Sequence, residues 1–364
     1  MIVTKNRQEE RGGKEMSLGK VINSRAIKFF SIGNPRKSLK LVTEQIDTSL
    51  KSGEILTRWI ASPVHPADIN IANGVYFYKR EPPSCLGIDA FGIVEKVATD
   101  VKYVQPSDHI IPIVPQTQGG FWREFQVLKA DEVFKIKKEL PLEAKVILAA
   151  NATSAYLVLT QFVKLEKGDY VLQNAANSQF GRMVTQTAKA LGFKSINVMR
   201  ERADYDAVKD DLLKHGADYV FTEEEFKKTG RDFVKSLDRP LKLSINGVGG
   251  KCSILMSANL TKFGTMVVYG GMSLKPHEVL TSSLVFNSIR VIGFLLYDFI
   301  NQENVEFTRK IYGEVQDLFL SGKISAPPMD KVQFEDFMVA IERTLAGGQR
   351  KQLLMIGKED RPQL

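Results

Sequence analysis

The chain has 364 residues, with 50 basic against 42 acidic side chains and a net charge of +8. That length exceeds one ordinary core and fits two domains, and apolar and charged fractions of 43% and 25% exclude a disordered or fibrous chain. Cys85 and Cys252 stand far apart, and His65, His109, His215 and His277 have no ligand spacing to them, so neither a disulfide framework nor a catalytic zinc is expected.

The first 24 residues are polar and carry Glu9, Glu10 and Glu15, with no apolar core for a secretory signal. Acids also disfavour a mitochondrial presequence. A start at Met16 fits one better, because Ser17, Lys20, Ser24, Arg25 and Lys28 all precede Glu44. Presequence and plain tail both remain open from the residues alone.

From about residue 26 to 149 the apolar segments are short and alternating, broken by Pro and Gly. Residues 54–61, 92–97, 109–114 and 125–128 read as strands of an antiparallel, barrel-like unit. From Thr153 the pattern becomes helices alternating with buried strands. Helices are expected at 155–163, up to Gly192, and at 207–214; strands at 170–173, 195–199, 219–221, 241–245, 265–269 and 290–293. Six such strands suit a doubly wound parallel sheet. Helices near 305–321 and 334–345 and a strand at 352–356 close the chain. The longest apolar runs, 110–115 and 291–297, are too short to span a bilayer. No basic stripe is interleaved with aromatics, so no nucleic-acid partner is expected.

The strand at 170–173 runs into Asn174-Ala175-Ala176-Asn177-Ser178-Gln179-Phe180-Gly181 and then a helix. A dinucleotide-binding fold puts its glycine-rich turn there, where backbone N–H groups meet pyrophosphate. The next strand ends at Arg200-Glu201-Arg202. Arginines in that place suit the 2′-phosphate of NADPH, whereas NAD calls for an acid. Tyr269-Gly270-Gly271-Met272 ends a further strand and lets a cofactor approach the backbone.

With these elements in order, the sequence resembles the mitochondrial trans-2-enoyl-thioester reductases, zinc-free members of the medium-chain dehydrogenase/reductase superfamily. The resemblance spans about residues 25–356. It rests on Pro66-Ala67-Asp68-Ile69-Asn70, Asn73-Gly74-Val75-Tyr76, Asn174–Ser178, Ile196–Arg202, Gly247-Val248-Gly249-Gly250-Lys251 and Tyr269–Met272. It implies an α/β fold: a GroES-like β-rich catalytic domain (25–152 and 303–364) around a Rossmann-type NADPH-binding domain (153–302), after a tail or presequence (1–24). It further implies a homodimer, a mitochondrial location and no metal. The reaction implied is NADPH-dependent reduction of enoyl thioesters on acyl carrier protein or coenzyme A, a step of mitochondrial fatty acid synthesis. Tyr76 takes the place of the family's proton donor. Asn151, Asn177, Ser178, Gln179, Phe180, Arg200, Glu201, Arg202, Tyr269, Gly270, Gly271, Met272, Phe294, Leu295, Leu296 and Lys351 take the places of its NADPH contacts.

Two departures stand out. Gln179-Phe180 replaces the family's Gly-Val in the phosphate turn, which predicts weaker cofactor binding. Leu295 replaces a Trp after Phe294, which predicts a reshaped acyl pocket. A quinone or other enone reductase of the same superfamily, and a divergent paralogue with a binding or regulatory role, are the rival readings.

Overall fold

The computed structural model describes residues 21–113, 119–347 and 350–359. Most of the segment read as tail or presequence, and the end of the strand expected at 109–114, lie outside them. The first eight strands are β1 (Val21–Phe29), β2 (Leu39–Asp47), β3 (Glu54–Pro63), β4 (Ser84–Cys85), β5 (Phe91–Val97), β6 (His109–Pro112), β7 (Phe125–Lys129) and β8 (Val133–Ile136).

β1 and β2 form an antiparallel pair from Val21↔Asp47 to Phe29↔Leu39. Residues 21–24 are therefore strand, which corrects the tail boundary at residue 24. Polar Asn23 and Ser24 hid the strand in the sequence. Ser24 is in fact buried, and its Oγ accepts from the Phe125 N–H at 3.1 Å. β3 is the hub of the larger sheet. It pairs with β5 along one edge and with β7 and a C-terminal strand along the other.

A continuous helical stretch, Leu142–Thr160, follows, with a π turn at Leu148–Ala152. The sequence placed a helix only at 155–163. By length and composition the stretch is apolar enough to cross a membrane, but 67% of its apolar window is buried within the fold. It serves as a core helix packed on the helix Gln179–Leu191.

The next six strands are β9 (Tyr170–Gln173), β10 (Lys194–Met199), β11 (Tyr219–Thr222), β12 (Leu243–Asn246), β13 (Thr265–Val268) and β14 (Arg290–Gly293). They form a parallel sheet in the order β11-β10-β9-β12-β13-β14. The strand order reverses between β9 and β12, and such a sheet opens its ligand crevice at that point, outside the carboxyl ends. Gln179–Leu191 follows β9 and stops at Gly192, whose φ of 84° is a left-handed cap that glycine adopts without strain.

Helix Val305–Leu320, β15 (Met329–Gln333), helix Phe337–Ala346 and β16 (Lys351–Met355) complete the chain. β16 pairs with β3, and β15, which the sequence did not reveal, lies parallel outside it.

Candidate active site

The turn after β9 is built by helix capping. Ser178 is the N-cap of Gln179–Leu191, and its Oγ accepts from the Gly181 N–H at 3.0 Å. Asn177 thus lies in the turn, while Gln179 and Phe180 lie in the first helical turn. Ala175, not Gln179, has the positive φ, at 50°. The N–H groups of this helix end sit just past the carboxyl end of β9, where such sheets take up an anion. Gln179 Nε2 is buried there with no hydrogen-bond partner.

Across the crevice, Phe180 stacks on Tyr269 with ring centroids 4.0 Å apart. The Tyr269 hydroxyl lies near the Ser178 side chain, which brings the ends of β9 and β13 together. Gly270 and Gly271 follow with Met272 exposed, and a side chain at Gly271 would have only His277 nearby, at 3.9 Å. At the end of β10, Arg200 and Glu201 are exposed and Arg202 pairs with Asp204 (Nη2 to Oδ2, 2.9 Å). Arg182, which the sequence reading passed over, donates from Nε to the Asn177 carbonyl at 3.1 Å and pairs with Asp211. Burial, with Arg202 and Arg350 nearby, holds its pKa below the ordinary arginine value. Three arginines, Arg182, Arg202 and Arg350, thus lie close together at this end, with Arg182 and Arg202 each paired to an aspartate.

Phe294 continues from β14, but its ring is buried against Phe162 and Phe299 at 6.0 and 5.6 Å. Only its backbone remains available to a ligand. Leu295 and Leu296 are partly exposed beside it. Tyr297 comes next and faces the loop that carries Tyr76. Its ring lies 6.1 Å from Phe77 and 6.4 Å from Tyr78, and Tyr76 stacks on both of those rings at 4.9 and 5.1 Å. Helix Pro66–Ala72 positions this loop, since the Asn70 carbonyl accepts from the Val75 and Tyr76 N–H groups. Burial and the nearby Asp68 push the Tyr76 phenol up to about 12. Tyr78 and Tyr297 are raised as well, chiefly by burial.

Asn151 lies in the π turn, a geometry frequent at functional sites, with its Oδ1 buried and unpartnered. Lys351 opens β16 and donates to His65 Nδ1 at 2.9 Å. The fold thus gathers the expected residues into two groups. One lines the carboxyl ends of β9, β10, β13 and β14. The other comprises Tyr76 on the loop after helix Pro66–Ala72, Asn151 in the π turn and Lys351 at the start of β16.

Residues 51–138 match the alcohol dehydrogenase GroES-like domain, and residues 180–310 match the zinc-binding dehydrogenase family. A mitochondrial enoyl-acyl-carrier-protein reductase of Caenorhabditis elegans is 42% identical over 341 residues, covering 93% of this chain and 98% of that protein. The chain belongs to the enoyl-acyl-carrier-protein reductase family. The structure of the Etr1p/NADP/crotonyl-CoA complex superposes with a TM-score of 0.84 at 27% identity, covering 92% of this chain and all of that one. The Etr1p/Etr2p heterodimer of Candida tropicalis, a mitochondrial 2-enoyl thioester reductase, matches equally well, with the same TM-score, identity and coverage.

Within this reductase family fold, the described residues fit a dinucleotide: a capped 13-residue helix, an unpartnered amide at Gln179 and open space over Gly293. They do not fit zinc, since no three His, Cys, Asp or Glu side chains among them gather as ligands. The helical backbone of Gln179 also removes one reason to expect weak binding, because the position does not require a glycine conformation. Its orphaned amide is a donor an anion would take up. Gln179→Ala is expected to weaken NADPH about fivefold, near 1 kcal/mol, in a fluorescence titration. Tighter binding by the alanine variant would mean that the side chain crowds the phosphate.

Proposed function

We propose that this chain reduces the 2,3 double bond of trans-2-enoyl thioesters with NADPH, in mitochondria, as a step of fatty acid synthesis. The observation that carries the reading is the meeting of the Tyr76 loop with Tyr297, just past the end of β14. It sets a protonated phenol beside the crevice of a dinucleotide-binding sheet. The named activity of the relatives and the crotonyl-CoA in the similar complex support the substrate class.

NADPH, when bound, supplies a hydride to Cβ of the enoyl thioester. Tyr76 is assigned the proton for Cα. Its raised pKa keeps the phenol intact at working pH, and a thioester enolate carbon is a far stronger base than a phenolate, so the transfer still runs downhill. Asn177, Ser178, Gln179 and Phe180 are assigned to the pyrophosphate turn. Arg200, Glu201 and Arg202 are assigned to the 2′-phosphate end, with Arg182 supporting the turn. Tyr269 to Met272, the Phe294–Leu296 backbone, Asn151 and Lys351 are assigned to the remaining cofactor wall.

A homodimer through the edge strand β14 goes with this reading. Val291 is 40% exposed on that unpaired edge, beside Val285 and Phe286 at 63% and 75%. Exposed apolar edges invite a further strand, and the Candida relative is named as a dimer. The thioester carrier is acyl carrier protein or coenzyme A.

NADPH is expected to bind more than tenfold tighter than NADH, since a charge-assisted contact to phosphate contributes about 1.5–3 kcal/mol. Equal affinities in parallel titrations would remove the arginine assignment. The activity itself is tested by NADPH oxidation with crotonyl thioesters against simple quinones. Turnover of quinones alone would replace the thioester reading with that of an enone reductase.

A further inference from the structure

Behind the aromatic wall lies an ionisable cluster that the assignments above leave largely unused. His65 and Asp68 flank the start of helix Pro66–Ala72, Asp89 precedes β5, and Lys351 begins β16. Lys351 Nζ lies 2.9 Å from His65 Nδ1, and a charged ammonium donating there requires a neutral imidazole with its proton on Nε2. Burial and the adjacent lysine also hold the His65 pKa well below its ordinary value. Nε2 stands 3.7 Å from Asp89 Oδ2, just beyond bonding distance. Nε2 and both Asp89 oxygens are buried without a partner of good geometry. The Ala150 amide is turned toward Asp89, from the π turn that also carries Asn151.

A fully buried carboxyl with unsatisfied oxygens costs stability, and such a group calls for a reason. Here the reason is its place. Asp89 lies near both segments that present Lys351 and Asn151, and His65, bonded to the ammonium, stands 3.7 Å from it. We propose that Asp89 and His65 are positioning residues that hold the Lys351 ammonium and the Asn151 turn in register at the reacting end of the cofactor crevice. The proposal rests on the cofactor roles given to Lys351 and Asn151 and extends them to two residues behind those groups.

The cluster also sets when Lys351 is charged. The groups facing it are His65, Asp68 and Asp89; Asp68 is in turn faced by Arg80 and Tyr76, Tyr78 and Tyr297 lie close to the carboxyls, and Tyr312 faces Asp89. Burial lowers Lys351 to about 8, against the upward pull of Asp68 and Asp89. Burial also pushes the Asp89 carboxyl well above the ordinary carboxylate range, a rise that the nearby ammonium opposes. Lys351 therefore loses its charge as pH rises through about 8, and NADPH affinity falls over the same window. Asp89→Asn removes one support of the cation, so that window moves to lower pH.

The test uses the full chain and two readouts. Competitive acetylation of Lys351, read by mass spectrometry without cofactor, gives its titration. NADPH titration over roughly pH 6 to 10 gives the affinity profile. Asp89→Asn and His65→Gln are each expected to weaken NADPH about tenfold near neutral pH. Asp89→Asn also shifts both midpoints downward, and kcat at saturating cofactor changes less than affinity. Asp89→Glu should recover part of the loss. If Asp89→Asn does not fold, His65→Gln decides. Failure of the unaltered protein to bind NADPH overturns the cofactor reading and this proposal with it. Normal binding by that protein, with unchanged affinity and midpoints in both variants, overturns the proposal alone.

Discussion

Tyr76→Phe is expected to lower turnover about 10²–10⁴-fold while leaving NADPH affinity nearly unchanged. The ring contacts at 4.9 and 5.1 Å to Phe77 and Tyr78 survive the substitution, so the loop keeps its shape. What disappears is one proton, held by a phenol whose pKa of about 12 keeps it in place across the physiological range. Single-turnover measurement with a crotonyl thioester separates that loss from binding. Tyr78→Phe is the control, because the Tyr78 hydroxyl is buried without a partner and its ring centroid lies 5.1 Å from that of Tyr76. Retained activity in Tyr76→Phe together with loss in Tyr78→Phe would transfer the role to the neighbour.

Gly181→Ala is expected to weaken NADPH by tenfold or more and to lower the melting temperature by several degrees. An added Cβ would lie 2.5 Å from the Ala175 carbonyl oxygen and 2.7 Å from the Ala176 Cα, both backbone atoms. The helix has no free direction to retreat. The Gly181 N–H is held by Ser178 Oγ at 3.0 Å, and its carbonyl accepts from Gln173 Nε2 at 2.9 Å. Overpacking of this kind costs about 1–3 kcal/mol, and the phosphate turn itself must move to relieve it. A melting shift with unchanged NADPH affinity would place the phosphate elsewhere. An unchanged melting curve would mean that the turn relaxes at no cost.

The parallel sheet was legible because its strands are short apolar bursts between helices, and 170–173 and 290–293 match β9 and β14 end to end. Helix Glu223–Lys235 was passed over because its surface is highly charged. Its capping box, Thr222 with Glu225, was in plain view as a signal. β1 and β2 were obscure because their outer faces carry Lys, Glu and Gln, so that neither reads as an apolar run. The site divides in the same way. The phosphate turn and the Arg200–Arg202 strand end follow from local pattern. Tyr76, Asn151 and Lys351 stood out only through the family resemblance, since nothing local marks them. His65 and Asp89 were missed because their partnership joins residues distant in the chain. The available signal was a carboxylate set within the apolar run Leu86–Val94.

The pairing of β16 with β3 has a consequence for how the molecule is made. Leu353 lies opposite Pro63 and Met355 opposite Ala61, whereas β7 covers residues 54–58 of the same edge, so the far end of the hub strand's second edge waits for nearly the whole polypeptide. A chain delivered from its N-terminus, by synthesis or by threading through a pore, displays the unpaired end of that edge, at residues 61–63, throughout that interval. Loop closure over such a span is slow, and open edges recruit neighbours. Chaperone demand during delivery should therefore be highest just before the final strand arrives, and a frameshift or early stop near the C-terminus should yield aggregates rather than a shortened but folded protein.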